Sequence, residues 1–133
     1  MITTRTYTIT LAVPNRVLWG NGRTRNERYR RVLIRDHRQR ARDAAIGHPI
    51  QPPMLRARVD CRFHFTTAAR RDDQNLIHGL KAYIDGLEDA GVIANDFGVS
   101  WGEIEQPADA MMRELETVDI MFTEIDDGRG AKP

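Results

Sequence analysis

The chain of 133 residues is 41% hydrophobic and 29% charged, an ordinary globular composition that can bury one self-standing core. No run approaches the roughly 18 consecutive apolar residues of a membrane-spanning helix, and no charged start with an apolar run resembles a signal peptide, so a cytoplasmic protein without a membrane partner is expected. The net charge of +1 conceals a division: residues 1–71 hold 16 Arg and no Lys against 4 acids, whereas residues 72–133 hold 4 bases against 15 acids. Such asymmetry predicts a basic face for a polyanion beside an acidic region, unless the arginines merely line solvated faces. The single cysteine, Cys61, permits no internal disulfide and lies in an apolar alternation, as a core residue would.

Residues 4–13 alternate Tyr7, Ile9 and Leu11 with Thr6, Thr8 and Thr10 and read as a strand that Pro14 ends. The following segment, residues 14–24, carries Gly20, Asn21 and Gly22 as a turn cluster. Trp19 in this loop is either an exposed platform for an unpaired base or a lid on the core. Thr24 with Glu27 forms a capping box for a helix over residues 25–46, with Tyr29, Leu33, Ala41 and Ala44 or Ala45 inward and Gly47 and Pro49 as stops. Arg28, Arg31, Arg35, Arg38 and Arg42 advance by threes and fours along one stripe of it. Guanidinium pairs bidentately with phosphate, so the stripe suits a nucleic-acid backbone; a solvated face is the alternative. Residues 55–66 alternate strictly and form the clearest strand, with His64 on its wet face.

Residues 70–96 hold the chemistry. Leu76, Leu80, Tyr83, Ile84, Leu87 and Ala90 recur at the helical period, so one face of a helix over residues 75–90 is committed to a core. Asn75, His78, Lys81 and Asp85 then share a polar stripe. Asp72 and Asp73 precede the first turn, where free N–H groups favour a carboxylate, and after the stop at Gly91 the chain presents Asp96. Taken singly, these are ordinary caps, an i,i+4 pair and a turn residue. Residues 99–105 and 115–125 read as two further strands, residues 106–112 as a loop, and residues 126–133 as a flexible tail. The order β-α-β-α-β-β predicts a mixed α/β fold: one compact domain over residues 1–125, with about four strands in a mixed sheet packed by two main helices.

The pattern Arg-Asp-x-x-Asn-Leu, then Lys-Ala-x-x-Asp-Gly-Leu, then Ala-Gly-Val-Ile-x-x-Asp resembles the RusA family of phage-type Holliday junction resolvases, over about residues 70–97. Asp72, Asn75, Asp85 and Asp96 match that family; Gln74 and Asn95 stand where it has Asp, and His78 where it has Lys, a place Lys81 could take one turn later. The resemblance implies magnesium, with manganese as a substitute, held by Asp72, Asp96 and Asp85, and phosphodiester hydrolysis in branched DNA. Lys81 would neutralise the transition state, with Asp73, Gln74, Asn75 and His78 as accessories. By the same resemblance the loop faces DNA through Asn15, Arg16, Trp19, Asn21 and Arg23; the stripe adds Arg28, Arg31, Arg35 and Arg38 as phosphate contacts, and Arg70 and Arg71, beside Asp72, would hold the phosphate next to the scissile bond. A four-way junction is two-fold symmetric, so a homodimer is implied, through an apolar patch such as Met111, Met112 or Phe97, or through the last strand. With Gln74 and Asn95 in place of carboxylates, a junction-binding protein without nuclease activity is the alternative.

Overall fold

The computed structural model describes residues 4–48 and 50–125; the expected tail lies outside them. Alternating side chains build four strands, β1 (Thr6–Ala12), β2 (Ala57–His64), β3 (Val99–Glu105) and β4 (Thr117–Glu124), in one sheet of order β1-β4-β2-β3. β4 runs antiparallel to both neighbours and β2 pairs parallel with β3. A parallel pair needs a crossover, and the predicted helical segment supplies it. Every second residue of β2, namely Ala57, Val59, Cys61 and Phe63, is buried, as are Ile9, Leu11, Val118, Ile120 and Phe122. Thr6, Thr8, Thr10, Arg58 and Arg62, on the opposite face of the sheet, are exposed. Among the described residues the helices cover one face only. The α/β class and strand count expected from the sequence are those observed.

The first helix, α1, spans Glu27–Ala45 and starts later than its predicted capping box: Asn26 is the cap, its Oδ1 accepting the Tyr29 N–H at 3.0 Å. Thr24 instead accepts the Asn26 N–H at 3.1 Å, one step upstream. The inward residues are His37, Ala41 and Ala45, whereas Tyr29 is 44% exposed and Ala44 faces solvent. The reason lies in the partner helix. A Cβ on Gly86 would collide with the Arg38 carbonyl and sit 2.9 Å from the Ala41 Cβ, so α1 approaches its neighbour most closely through its second half.

The predicted single helix over residues 75–90 is two, α2 (Asp73–Gly79) and α3 (Lys81–Asp89). At the break the Leu80 N–H bonds to the Ile77 carbonyl at 3.0 Å, a tighter closure than the α-helical one. Trp19 lies against this point, because a Cβ on Gly79 would come 2.8 Å from its Cδ1. Trp19 is 5% exposed, donates its Nε1–H to the Pro14 carbonyl at 3.0 Å and meets Phe65 edge-on at 6.1 Å. The expectation that it presents a free stacking face to DNA is therefore corrected: it is a lid, and its ring fills the gap between the loop and the helix break.

Two buried contacts hold that loop in place. His37 donates from Nδ1 to the Leu33 carbonyl at 2.8 Å, accepts the Asn15 N–H at Nε2 at 3.1 Å and stacks on Tyr83 with ring centroids 5.3 Å apart. Burial pushes its pKa down, so it is a neutral structural pin. Tyr83 donates its hydroxyl to the Ala12 carbonyl at 2.7 Å.

Candidate functional site

Leu80, Tyr83 and Leu87 fix α3 in the core, which leaves Lys81 and Asp85 on its outer side. Val92 and Ile93 are buried, and the Met54 N–H bonds to the Val92 carbonyl at 3.0 Å, so the chain leaving α3 is tied down before it turns. The turn Asp96–Gly98 is closed by Asn95, whose Oδ1 accepts the Gly98 N–H at 3.1 Å. In consequence Asp96 faces α3. Lys81 Nζ lies 3.5 Å from Asp96 Oδ2 and 3.7 Å from Asp85 Oδ1.

These three side chains and His78 rim a cleft of about 240 Å³ whose floor is Ile77, Ile84, Val99 and Trp101. On the other side of the Lys81, His78 and Asp85 ridge is a smaller hollow of about 120 Å³, reached also by Arg30 and Ile34 of α1. The ion pairs are longer than hydrogen-bond contact, and the Lys81 side chain is 65% exposed. Such pairs contribute little to stability, and an exposed ammonium between two carboxylates is free to turn to another anion.

The remaining predicted residues fall outside this cleft. Asp72 caps α2, its Oδ1 accepting the Gln74 and Asn75 N–H groups at 2.9 and 3.2 Å. Asp73 pairs with Arg70 at 3.2 Å and receives Gln106 Nε2 at 3.2 Å. Asn75 supports the loop, its carbonyl accepting the Gly20 N–H at 3.1 Å. Gln74 is exposed. The three carboxylates named for a metal are thus divided. Asp85 and Asp96 face one space and Asp72 does not line it; among the described residues no three His, Cys, Asp or Glu side chains gather as a metal-holding group.

The expected DNA-contacting arginines divide as well. Arg28, Arg31 and Arg35 are exposed along α1, the last with only a 4.0 Å approach to Asp36. Arg38 is instead a clasp between helices: Nε and Nη2 chelate the two oxygens of Asp89 at 2.7 and 2.8 Å, a pair that raises the Arg38 pKa and lowers that of Asp89. Arg71 braces the turn before α2, with Nη1 on the Ala69 carbonyl at 2.6 Å and its guanidinium 3.7 Å over the Phe65 ring. Arg16 lies 4.7 Å over the Trp19 ring, and Asn15 accepts the Val17 N–H at 3.0 Å. Asn21 and Arg23 are exposed at the loop tip.

Compared with protein-family models and with curated proteins, the chain matches none. No helix among the described residues is long and apolar enough to cross a membrane. Trp101 was not singled out as a site residue; its place in the strand over residues 99–105 gives no sign of the cleft it lines.

Proposed function

We propose that this protein is a divalent-metal-dependent endodeoxyribonuclease of the RusA type, cutting four-way or otherwise branched DNA in the cytoplasm as a homodimer. What supports the reading most is the meeting of Asp85 and Asp96, two of the matched carboxylates, about Lys81 in one open cleft, with Lys81 one turn beyond the position of the family's lysine. The donor set fits magnesium. That ion takes hard oxygen ligands and commonly uses only one or two protein carboxylates, completing its shell with water and phosphate. Asp85 and Asp96 would hold it, and when bound it would supply an activated water and charge neutralisation at phosphorus.

The chain's own residues do the rest. Lys81 donates to a phosphate oxygen and offsets the charge that builds there. Arg28, Arg31 and Arg35 meet the backbone of a neighbouring arm, as guanidinium forks on a rigid helix do. The test is nicking of a synthetic four-way junction with magnesium or manganese. Asp96→Asn and Lys81→Ala should each lower the rate on the order of a hundredfold or more while junction binding persists, and light scattering should give a dimer. A second reading, a junction-binding protein without cleavage, is favoured by Asp72 being engaged as a helix cap and by Gln74 carrying no charge. Tight, salt-sensitive junction binding with no product under either ion would decide for it.

A further inference from the structure

The rim of the 240 Å³ cleft is polar, but its floor is an indole and three aliphatic side chains, Trp101, Ile77, Ile84 and Val99. Neither phosphate nor a metal ion calls for such a floor. We propose that it takes one unpaired nucleobase of the bound DNA, stacked on Trp101, and that Trp101 is the residue that separates branched or single-stranded DNA from duplex. The inference rests on the reading of this protein as one that binds branched DNA.

Three observations carry it. The space lies below the roughly 300 Å³ from which pockets for drug-sized molecules begin, a size for one ring system. Trp19 commits its N–H to Pro14 and its ring edge to Phe65, whereas neither kind of contact is found for the half-buried Trp101 among the described residues. The floor also adjoins Lys81, whose exposed ammonium lies between Asp85 and Asp96 at 3.7 and 3.5 Å, so a ring on the floor has one donor beside it for its own phosphate. A base within a duplex has both faces covered by its neighbours and cannot enter; a base at a branch point or in a single strand can.

The test is made in EDTA, where binding is read without cleavage. In the unaltered protein, 2-aminopurine at an unpaired position of a junction or single strand should lose fluorescence on binding, and the same base inside a duplex should not. Trp101→Ala should weaken binding of the single strand at least about fivefold and leave linear duplex binding unchanged. Trp101→Phe, which keeps a ring and the packing, should retain most of the affinity. Binding without 2-aminopurine quenching, or equal losses on single strand and duplex in both variants, would overturn the assignment. Failure of the nuclease reading looks different: base-dependent quenching would persist while no divalent ion yields product.

Discussion

His64 shows how a single residue can be legible in position and opaque in role. The alternation of β2 places it on the wet face, where it lies, but its partners come from elsewhere in the chain: Nδ1 lies 2.8 Å from Asp109 Oδ1 and Nε2 lies 2.8 Å from Asp119 Oδ2, while Thr10 donates to the other Asp119 oxygen at 2.7 Å. A neutral imidazole has one N–H to give and two carboxylates ask for two, so the protonated ring is favoured. The hydrogen bond to Asp119 raises the His64 pKa most, against burial, and Asp109 adds to it; Arg62 nearby acts on Asp119. On Asp119 burial pushes upward, but His64 and Thr10 together outweigh it and the carboxyl ends below its usual range. A raised histidine pKa stabilises the fold fully below the unfolded value of 6.5, and that contribution is lost as pH rises through the folded value. His37, whose pKa is lowered, acts oppositely and costs stability as pH falls below 6.5. Thermal unfolding followed from about pH 6 to about pH 9 should therefore show a decline on the alkaline side that Asp109→Asn flattens. An identical slope in the variant would dismiss the clamp.

At the scale of elements, hydrophobic period fixes where helices and strands occur but not how closely they pack. The split of the predicted helix into α2 and α3 could not be read from residues 75–90, since the ring that fills the gap, Trp19, comes from a loop far upstream. The α1 start shifted for a local reason: Asn26, two residues beyond the expected Thr24, is the residue that reaches the third helical residue's N–H. The contact at Gly86 gives a prediction. Alanine there gains about 1 kcal/mol of helix propensity, but its methyl meets the Arg38 carbonyl and the Ala41 Cβ, an overpacking that costs about 1–3 kcal/mol. The backbone carbonyl cannot swing away, so overpacking wins and Gly86→Ala should lower urea-measured stability by up to about 2 kcal/mol. Gly47→Ala, with nothing within 4 Å of the new methyl, should leave it nearly unchanged.

For the whole molecule, the basic N-terminal half contributes both the exposed stripe on α1 and the Arg38 clasp, and the acidic half contributes the cleft. The arginine stripe follows from short-range periodicity, whereas the approach of the Asp96 turn to α3 is expected only from the family resemblance. The sequence also offered Asp72 as a helix cap, which it is, but it did not show that Arg38 is already engaged, because that depends on which carboxylate lies nearest in three dimensions. Replacing Arg28, Arg31 and Arg35 together by Ala should weaken junction binding and flatten its log-log salt dependence by about 0.9 for each phosphate no longer neutralised. An unchanged slope would return those arginines to the role of a solvated face. The exposed Phe97 (95%) and Met111 (90%) are the apolar side chains whose change to Ser should shift a dimer toward monomer in light scattering if they form its interface.

The strand order carries a consequence for how the molecule is made. Among the described residues, β1, which precedes the other three strands in the chain, bonds only to β4, which follows them, and β4 lies inside the sheet with β2 on its far side. A nascent chain that has emerged as far as β3 can close the β2 crossover but leaves both β1 and one edge of β2 without neighbours. Until residue 117 and those after it leave the ribosome, the N-terminal threonine strand waits unzipped, so ribosome-bound chains stalled before that point should be cut by protease within β1 while the finished chain resists.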